Sequence, residues 1–338
     1  MSGPTRPGLS RRVFVQSALA TALLPSAIAA ASPCRGPQPA PPGELPRSTF
    51  GISSTAEEVT AGLDLNGLNV VITGCNSGLG LETMRVLAGR GAHVIGTART
   101  AEKAETACAS IDGKTTPVVL ELGDYDSIHR CTDTINALDL PIDVLMCNAG
   151  IMALPELKLI NGLEAQFAVN HIGHFLFTTN LLGAVKKADK GRIVMLSSCA
   201  HFGAPEAGIE FDNLDGAKSY APWTAYGQSK LANGLFALEL SRRLASDGVT
   251  ANSLHPGVIK TNLGRHLPPR EDDRKDEDIY DKNIPQGAAT QAYVAVHPTA
   301  GTISGQYFAD CNPAQASAHM YDLEMAAKLW AVSEELTA

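Results

Sequence analysis

A phenol and an ammonium lie four residues apart in Tyr226-Gly-Gln-Ser-Lys230, where the chain begins a long apolar stretch that reads as a helix. At that spacing the two side chains share one helical face. Tyrosine ionises near pH ~10 in water, and a neighbouring Lys⁺ favours the phenolate, so the pair could exchange protons near neutrality. Far upstream, Thr73-Gly-Cys-Asn-Ser-Gly-Leu-Gly80 joins an apolar run to a helical pattern through three glycines in the spacing G-x-x-x-G-x-G. A turn of that kind lets backbone N–H groups and a helix N-terminus approach the pyrophosphate of a dinucleotide. Either feature alone is also what an amphipathic helix or a structural turn looks like, and the surrounding elements must decide.

Those elements alternate. Asn69-Val-Val-Ile-Thr73, a helical pattern over Leu79 to Gly89, and Ala92-His-Val-Ile-Gly-Thr97 make one βαβ unit. Further strand-like runs follow at Pro117 to Leu122, Ile142 to Cys147, Arg192 to Ser197, Thr250 to His255 and Gln306 to Phe308, with helical stretches between them. The alternation predicts an α/β fold, a single Rossmann-type domain with a doubly wound parallel sheet of about seven strands and helices on both faces. Asn262 to Asn283 breaks the rhythm with Pro-Pro and a dense run of mixed charge, and reads as a long mobile loop.

The first residues stand apart. Residues 1–32 carry Arg11-Arg12, a modestly apolar Ala/Leu stretch and small residues around Ala27 to Ala30, the pattern of a twin-arginine export signal. Residues 33–49 are rich in proline and read as a spacer, leaving 50–338 as the folded domain. The expected location is therefore outside the cytoplasm, with a cytoplasmic protein as the alternative, and no stable membrane span is expected once the signal is removed. A net charge of -8 with scattered basic residues offers no footprint for nucleic acid or an anionic membrane. Seven cysteines show no C-x-x-C and no Cys/His cluster, so neither a metal site nor a disulfide framework is expected; Cys147 and Cys199, at strand ends, are read as packing residues.

Six motifs then fall into one order: the T-G-x-x-x-G-x-G turn, Cys147-Asn148-Ala149-Gly150, Asn170, Ser197-Ser198, Tyr226-x-x-x-Lys230 and His255-Pro256-Gly257. From about residue 66 to 312 the chain resembles the short-chain dehydrogenase/reductases. Asn170-His-Ile-Gly-His-Phe-Leu-Phe-Thr, Ala225-Tyr-Gly-Gln-Ser-Lys-Leu-Ala-Asn and Ser304-Gly-Gln-Tyr-Phe-Ala-Asp-Cys are similar to the retinol dehydrogenase and WW-domain oxidoreductase branch.

The resemblance implies a role for each matching residue. Tyr226 would exchange the proton with the substrate oxygen while hydride moves to or from a nicotinamide. Lys230 would lower the tyrosine pKa and hold the nicotinamide ribose, Ser198 would hydrogen-bond the substrate oxygen, and Asn170 would interrupt its helix and hold a relay water. Gly74, Asn76, Ser77, Gly78, Leu79 and Gly80 would form the phosphate turn. Asn148, Ala149 and Gly150 would pass beneath the adenosine ribose, and Pro256, Gly257, Val258 and Thr261 would wall the nicotinamide. Glu121 and Leu122 would meet the adenine, with glutamate standing where the family usually has aspartate. Arg99, at the end of the second strand and without a competing carboxylate, suits a 2′-phosphate, so NADP(H) is favoured over NAD(H).

The expected activity is interconversion of an alcohol and a ketone or aldehyde that is bulky and mainly apolar. The expected substrate wall comprises Ala153 to Leu157, Ala200 to Trp223 and the charged loop after Thr261. Reduction of another bond type such as C=C on the same fold is one alternative; a non-catalytic dinucleotide sensor is another, which has no need of Asn170, Ser198, Tyr226 and Lys230 together. A homo-oligomer formed through the helices after Asn161 and Trp223 is implied by analogy with relatives.

Overall fold

The structure, a computed structural model, describes residues 1–3, 40–41, 43–267, 275–276 and 279–338. The expected signal, apart from its first three residues, and about half of the expected spacer lie outside them. Residues 33–338 form one unit, and it alone is considered below.

The strands of the main series are β1 (Asn69–Ile72), β2 (His93–Ala98), β3 (Thr115–Val119), β4 (Val144–Cys147), β7 (Arg192–Leu196), β8 (Thr250–His255) and β9 (Tyr307–Ala309), and a two-residue hairpin, β5 (Leu159–Ile160) with β6 (Leu163–Glu164), stands outside this series. The main sheet runs β10-β9-β8-β7-β4-β1-β2-β3, where β10 is the dipeptide Asn312–Pro313. Seven strands are parallel to one another and β10 pairs antiparallel with β9, which makes eight where about seven were expected. Two residues carry no periodicity, and their pairing follows from the reversal at Asp310 and Cys311, both with positive φ. The third strand lies earlier than its apolar run suggested: Pro117 pairs with Gly96 inside β3, which is tolerable because β3 is an edge strand.

The helices include α1 (Ala56–Val59), α2 (Gly78–Gly89), α3 (Ala101–Ala109), α4 (Tyr125–Asn136), α5 (Ala165–Phe167), α6 (Gly173–Val185), α7 (Pro222–Arg243), α8 (Ile284–Val296) and α9 (Leu323–Leu336). Buried strand residues alternate between the two faces. Val70, Ile72, Val94 and Met146 pack with Met84 of α2 and Tyr293 of α8, while Val71, Ile95, Leu145 and Met195 pack with Ile128 of α4, Phe175 of α6 and Phe236 of α7. Burial on both faces explains why the central strands are continuously apolar.

Two boundaries differ from expectation. Arg47 and Ser48 already join the domain: Arg47 Nη1 donates to Pro313 O at 3.2 Å, and Ser48 Oγ to Cys311 O at 2.9 Å. The far end of the charged loop is anchored, because Lys282 bridges to Ile259 and its Nζ pairs with Asp310 Oδ1 at 2.6 Å. With 2% of its side chain exposed, the Lys282 ammonium depends on that carboxylate. Asp310→Asn is therefore expected to lower the unfolding free energy by about 3 to 5 kcal/mol, because it leaves a buried charge without its counter-ion. Urea denaturation of the variant measures it; a change under about 1 kcal/mol would show that the pair contributes little.

Candidate active site

Backbone geometry makes the glycine turn. Gly74 and Gly78 adopt φ of +74° and +59°, which side chains disfavour. Gly80 is needed for a different reason: a Cβ there would lie 2.3 Å from Gly74 O and 2.6 Å from Asn148 Nδ2. Ser77 is the N-cap residue of α2, yet its side chain makes no capping bond, and no acidic residue occupies the first turn. The end of α2 thus presents N–H groups to an anion, with Asn76 exposed beside it. Leu79 lends its carbonyl to Gln291 Nε2 of α8 at 3.2 Å, which fixes the helix start.

One hydroxyl ties this turn to β4. Thr73 Oγ1 accepts from the N–H groups of both Asn148 and Ala149 at 2.9 Å, and lies 2.9 Å from His174 Nε2. His174 Nδ1 faces Asn170 O at 2.9 Å and must donate to it, so Nε2 accepts and Thr73 donates. Burial pushes this imidazole down to about 4, which keeps it neutral and preserves the pattern. Asn148 Nδ2 adds a bond to Thr73 O at 2.8 Å. The sequence reading assigned nothing to Thr73 or His174.

Asn170 does interrupt its helix, sitting in a π-helical stretch, Ala168–Ile172, before α6. Its Oδ1 accepts from Ile151 N at 2.9 Å, and its Nδ2 donates to Ile151 O at 2.9 Å and Ser229 Oγ at 3.0 Å. Gly150 faces it: a Cβ there would stand 3.1 Å from Asn170 Oδ1 and 3.6 Å from Lys230 Nζ. The absent side chain leaves these two groups opposite one another.

Tyr226, Ser198 and Lys230 meet where α7 passes the end of β7. Lys230 Nζ donates to Leu196 O at 3.0 Å and lies 5.6 Å from the centre of the Tyr226 ring. Ser197 is structural, as expected, its Oγ donating to Lys230 O at 2.7 Å. Ser198 opens a short 3-10 helix, Cys199–Gly203, and its Oγ accepts from Ala200 N at 3.1 Å. His201 holds that turn, donating from Nδ1 to Ser198 O at 2.6 Å and accepting from Ser317 N at 3.0 Å. It was missed in the sequence because its partner is 116 residues away.

The acidities depart from expectation. Lys230 was expected to lower the tyrosine pKa, but burial of Tyr226 raises it well above the usual phenol range, with the Ser198 hydroxyl opposing in part. Burial lowers Lys230 to about 8. The phenol is 4% exposed and the ammonium carries a charge only 5.6 Å from the ring centre, so desolvation outweighs attraction. A second correction concerns Cys199, which is disulfide-bonded rather than a packed thiol. Cys147 is a buried free thiol, as expected, and among the described residues no group could hold a metal ion.

The remaining predicted residues line the same edge of the sheet. Gly257 turns with φ +109°, Val258 N donates to Asp281 Oδ1 at 2.7 Å, and Thr261 lies 3.5 Å from where a Gly78 Cβ would be. Pro256 directly follows β8. Arg99 follows β2 and is exposed, and Leu122 is buried beyond β3. Glu121 turns its Oε1 back toward Gly123 N at 3.4 Å instead of outward. A separate cavity of about 250 Å³, bordered by Glu164, Tyr220 and Gln228, touches none of Asn170, Ser198, Tyr226 or Lys230.

Thr73→Val removes the acceptor of two partly buried N–H groups and is expected to cost about 1 to 3 kcal/mol of stability, whereas Thr73→Ser should nearly restore it. Denaturant midpoints of the two variants measure this, and equal stability of Val and Ser forms would exclude the hydroxyl as the joint.

Residues 68–272 match the family model described as short chain dehydrogenase. Among curated proteins, short-chain dehydrogenase TIC 32 A, chloroplastic, of Brassica napus is 43% identical over 87% of this chain and 96% of its own length. Retinol dehydrogenase 12 of Mus musculus is 39% identical over 82% and 88%. A crystal structure of an uncharacterised protein from Mycobacterium paratuberculosis superposes with a TM-score of 0.68 at 35% identity, covering 82% of this chain and 96% of the other. With the glycine turn, the interrupted helix and the Ser–Tyr–Lys cluster gathered at one sheet edge, the chain belongs to the short-chain dehydrogenase/reductase family of oxidoreductases.

Proposed function

We propose that this oxidoreductase reduces a bulky, mainly apolar ketone or aldehyde to the alcohol, with NADPH favoured over NADH and Tyr226 as the proton donor. The carrying observation is the convergence of Tyr226, Ser198 and Lys230 beside the turn that a dinucleotide phosphate fits. The uncapped start of α2 and the close approach at Gly80 suit a pyrophosphate, and Arg99 suits an adenosine 2′-phosphate. When bound, the nicotinamide supplies the hydride.

The residues of the chain then divide the remaining work. Ser198 hydrogen-bonds the carbonyl oxygen and orients it toward the phenol. Tyr226, kept protonated by burial, gives its proton to that oxygen as negative charge develops. Lys230, held near neutrality at about 8, stabilises the tyrosinate left behind and passes a proton back. Asn170 fixes the backbone opposite the ammonium at Gly150. The raised tyrosine pKa limits the phenolate needed for alcohol oxidation, which favours the reductive direction. Apolar substrate is supported by Phe202 and Trp223, 40% and 54% exposed, which flank Ser198 and Tyr226; Trp223 meets the tyrosine ring edge-on. The relative named retinol dehydrogenase points to the same substrate chemistry.

Tyr226→Phe is expected to reduce ketone turnover by about 10² to 10⁴-fold while leaving NADPH affinity within about twofold. In the parent enzyme, kcat/KM for reduction should fall as pH rises through about 8, where Lys230 loses its charge. Steady-state assay on a panel of ketones and enones tests both; unchanged turnover in the phenylalanine variant rejects the mechanism, and activity on enones alone favours reduction of C=C.

Export through the Arg11-Arg12 signal is proposed from the sequence, with 50–338 as the exported domain carrying its nicotinamide. Fractionation of the native host should find the shortened chain outside the cytoplasm, and uncleaved enzyme confined to the cytoplasm would reject export.

A further inference from the structure

Two buried amides, four residues apart, hold the same two pieces of chain. Asn170 holds Ile151 by its N–H and its carbonyl and reaches Ser229 of α7. Gln166, 0% exposed, does the corresponding work one turn earlier. Its Oε1 accepts from Ala153 N at 2.6 Å, and its Nε2 donates to Pro222 O, in the first turn of α7, and to Glu164 Oε1, each at 3.2 Å. The amide has one possible orientation, because its oxygen faces an N–H while its nitrogen faces a carbonyl and a carboxylate. Pro222 and Ser229 bracket Tyr226 along α7.

Other contacts join the same two segments. Tyr220 OH donates to Leu154 O at 2.6 Å, and Leu157 crosses Gly216, where a Cβ would lie 2.9 Å from Leu157 Cδ1. Ala153 is held at φ +47°, a left-handed conformation that alanine adopts only where its surroundings fix it, and Gln166 receives its N–H. Glu164 steadies the other end of the amide. Its carboxylate also accepts from Phe167 N at 2.9 Å, and its own N–H donates to Leu214 O at 2.8 Å. Ala221, the N-cap residue of α7, makes no side-chain capping bond, so the first turn of that helix is tied down from outside, by Gln166.

We propose that Gln166, together with Tyr220, is a strut that sets the gap between the segment after β4 and the first turn of α7, and thereby positions a bulky carbonyl substrate against Tyr226. This rests on the carbonyl-reducing function proposed above, in which residues 153–157 and 220–223 face the substrate from two sides. Gln166 is a positioning residue: it acts through Ala153 and Pro222 rather than on the reacting atoms. Trp223, next to Pro222, meets the Tyr226 ring edge-on with centroids 6.1 Å apart, so a shift of the first turn moves the aromatic edge that a large substrate meets. A small ketone, held by Ser198 and Tyr226 alone, does not span the gap, whereas a large one touches both sides. The strut therefore bears on the choice among carbonyl substrates and not on proton transfer itself.

The test uses Gln166→Met, which keeps the volume and removes the amide's bonds, and Tyr220→Phe, which keeps the ring, removes only the bond to Leu154 and decides the matter where the first variant does not fold. Amide hydrogen exchange on the full chain without substrate should speed up about tenfold over residues 151–157 and 220–225 in Gln166→Met, with β4 and β7 unchanged. Reduction of butanone is compared with that of benzylacetone, the same methyl ketone extended by a phenyl ring. For benzylacetone, kcat/KM should fall about tenfold in Gln166→Met and about threefold in Tyr220→Phe, while butanone turnover and the KM for NADPH stay within about twofold. Unchanged exchange over both segments overturns the proposal, as does an equal loss for the two ketones, which a merely structural role would produce. A parent protein that reduces neither ketone overturns the proposed activity instead, and the exchange result still decides the strut.

Discussion

The hydroxyl of Thr73 is the joint on which the site depends. It accepts from two backbone N–H groups after β4 and donates to His174, which in turn donates to the carbonyl of Asn170. One saturated hydroxyl therefore fixes the phosphate turn at the end of β1, the Asn148–Gly150 segment beside it and the interrupted helix that carries Asn170. Each of these would otherwise be a loop or helix end with its own freedom. The bond pattern survives because burial keeps His174 neutral: a protonated ring would bring a second donor to a hydroxyl that could no longer donate to it.

Around that joint, close approach does the positioning. Gly80 lets α2 meet the Gly74 carbonyl and the Asn148 amide, and Gly150 leaves Asn170 and Lys230 facing one another. A methyl group at Gly80 would collide with both polar atoms, and one at Gly150 would press tightly on the Asn170 amide oxygen. The proton chemistry is set by the same enclosure. Tyr226 and Lys230 are both buried, so desolvation favours the neutral form of each: the phenol stays protonated and the amine moves toward neutrality. On the function proposed above, the pair would be a proton donor with a nearby group able to replace its proton, rather than a standing tyrosinate.

Much of this was legible in the residues. Strand-like runs separated by helical patterns pointed to a parallel sheet because central strands buried on both faces, such as β1 and β4, are continuously apolar. The glycine turn, Asn170, Ser198, Tyr226 and Lys230 were legible because each is a particular residue type at a fixed place relative to a strand or helix end. What escaped were residues whose partners are distant. Thr73 and His174 are 101 positions apart, His201 and Ser317 116, and nothing local marks either histidine as part of a network. The two-residue β10 and the early placement of β3 escaped because pairing, not periodicity, defines a short or edge strand.

The sequence by itself determined the class of fold, the order of its units and the residues for which dinucleotide binding and proton transfer are proposed, since these follow from local pattern and side-chain chemistry. Tertiary structure alone decided the direction of the acidities and the disulfide at Cys199. Each of those depends on how much water is excluded or on which distant segment arrives beside it. Desolvation and long-range approach are properties of the packed chain, and no spacing along the chain encodes them.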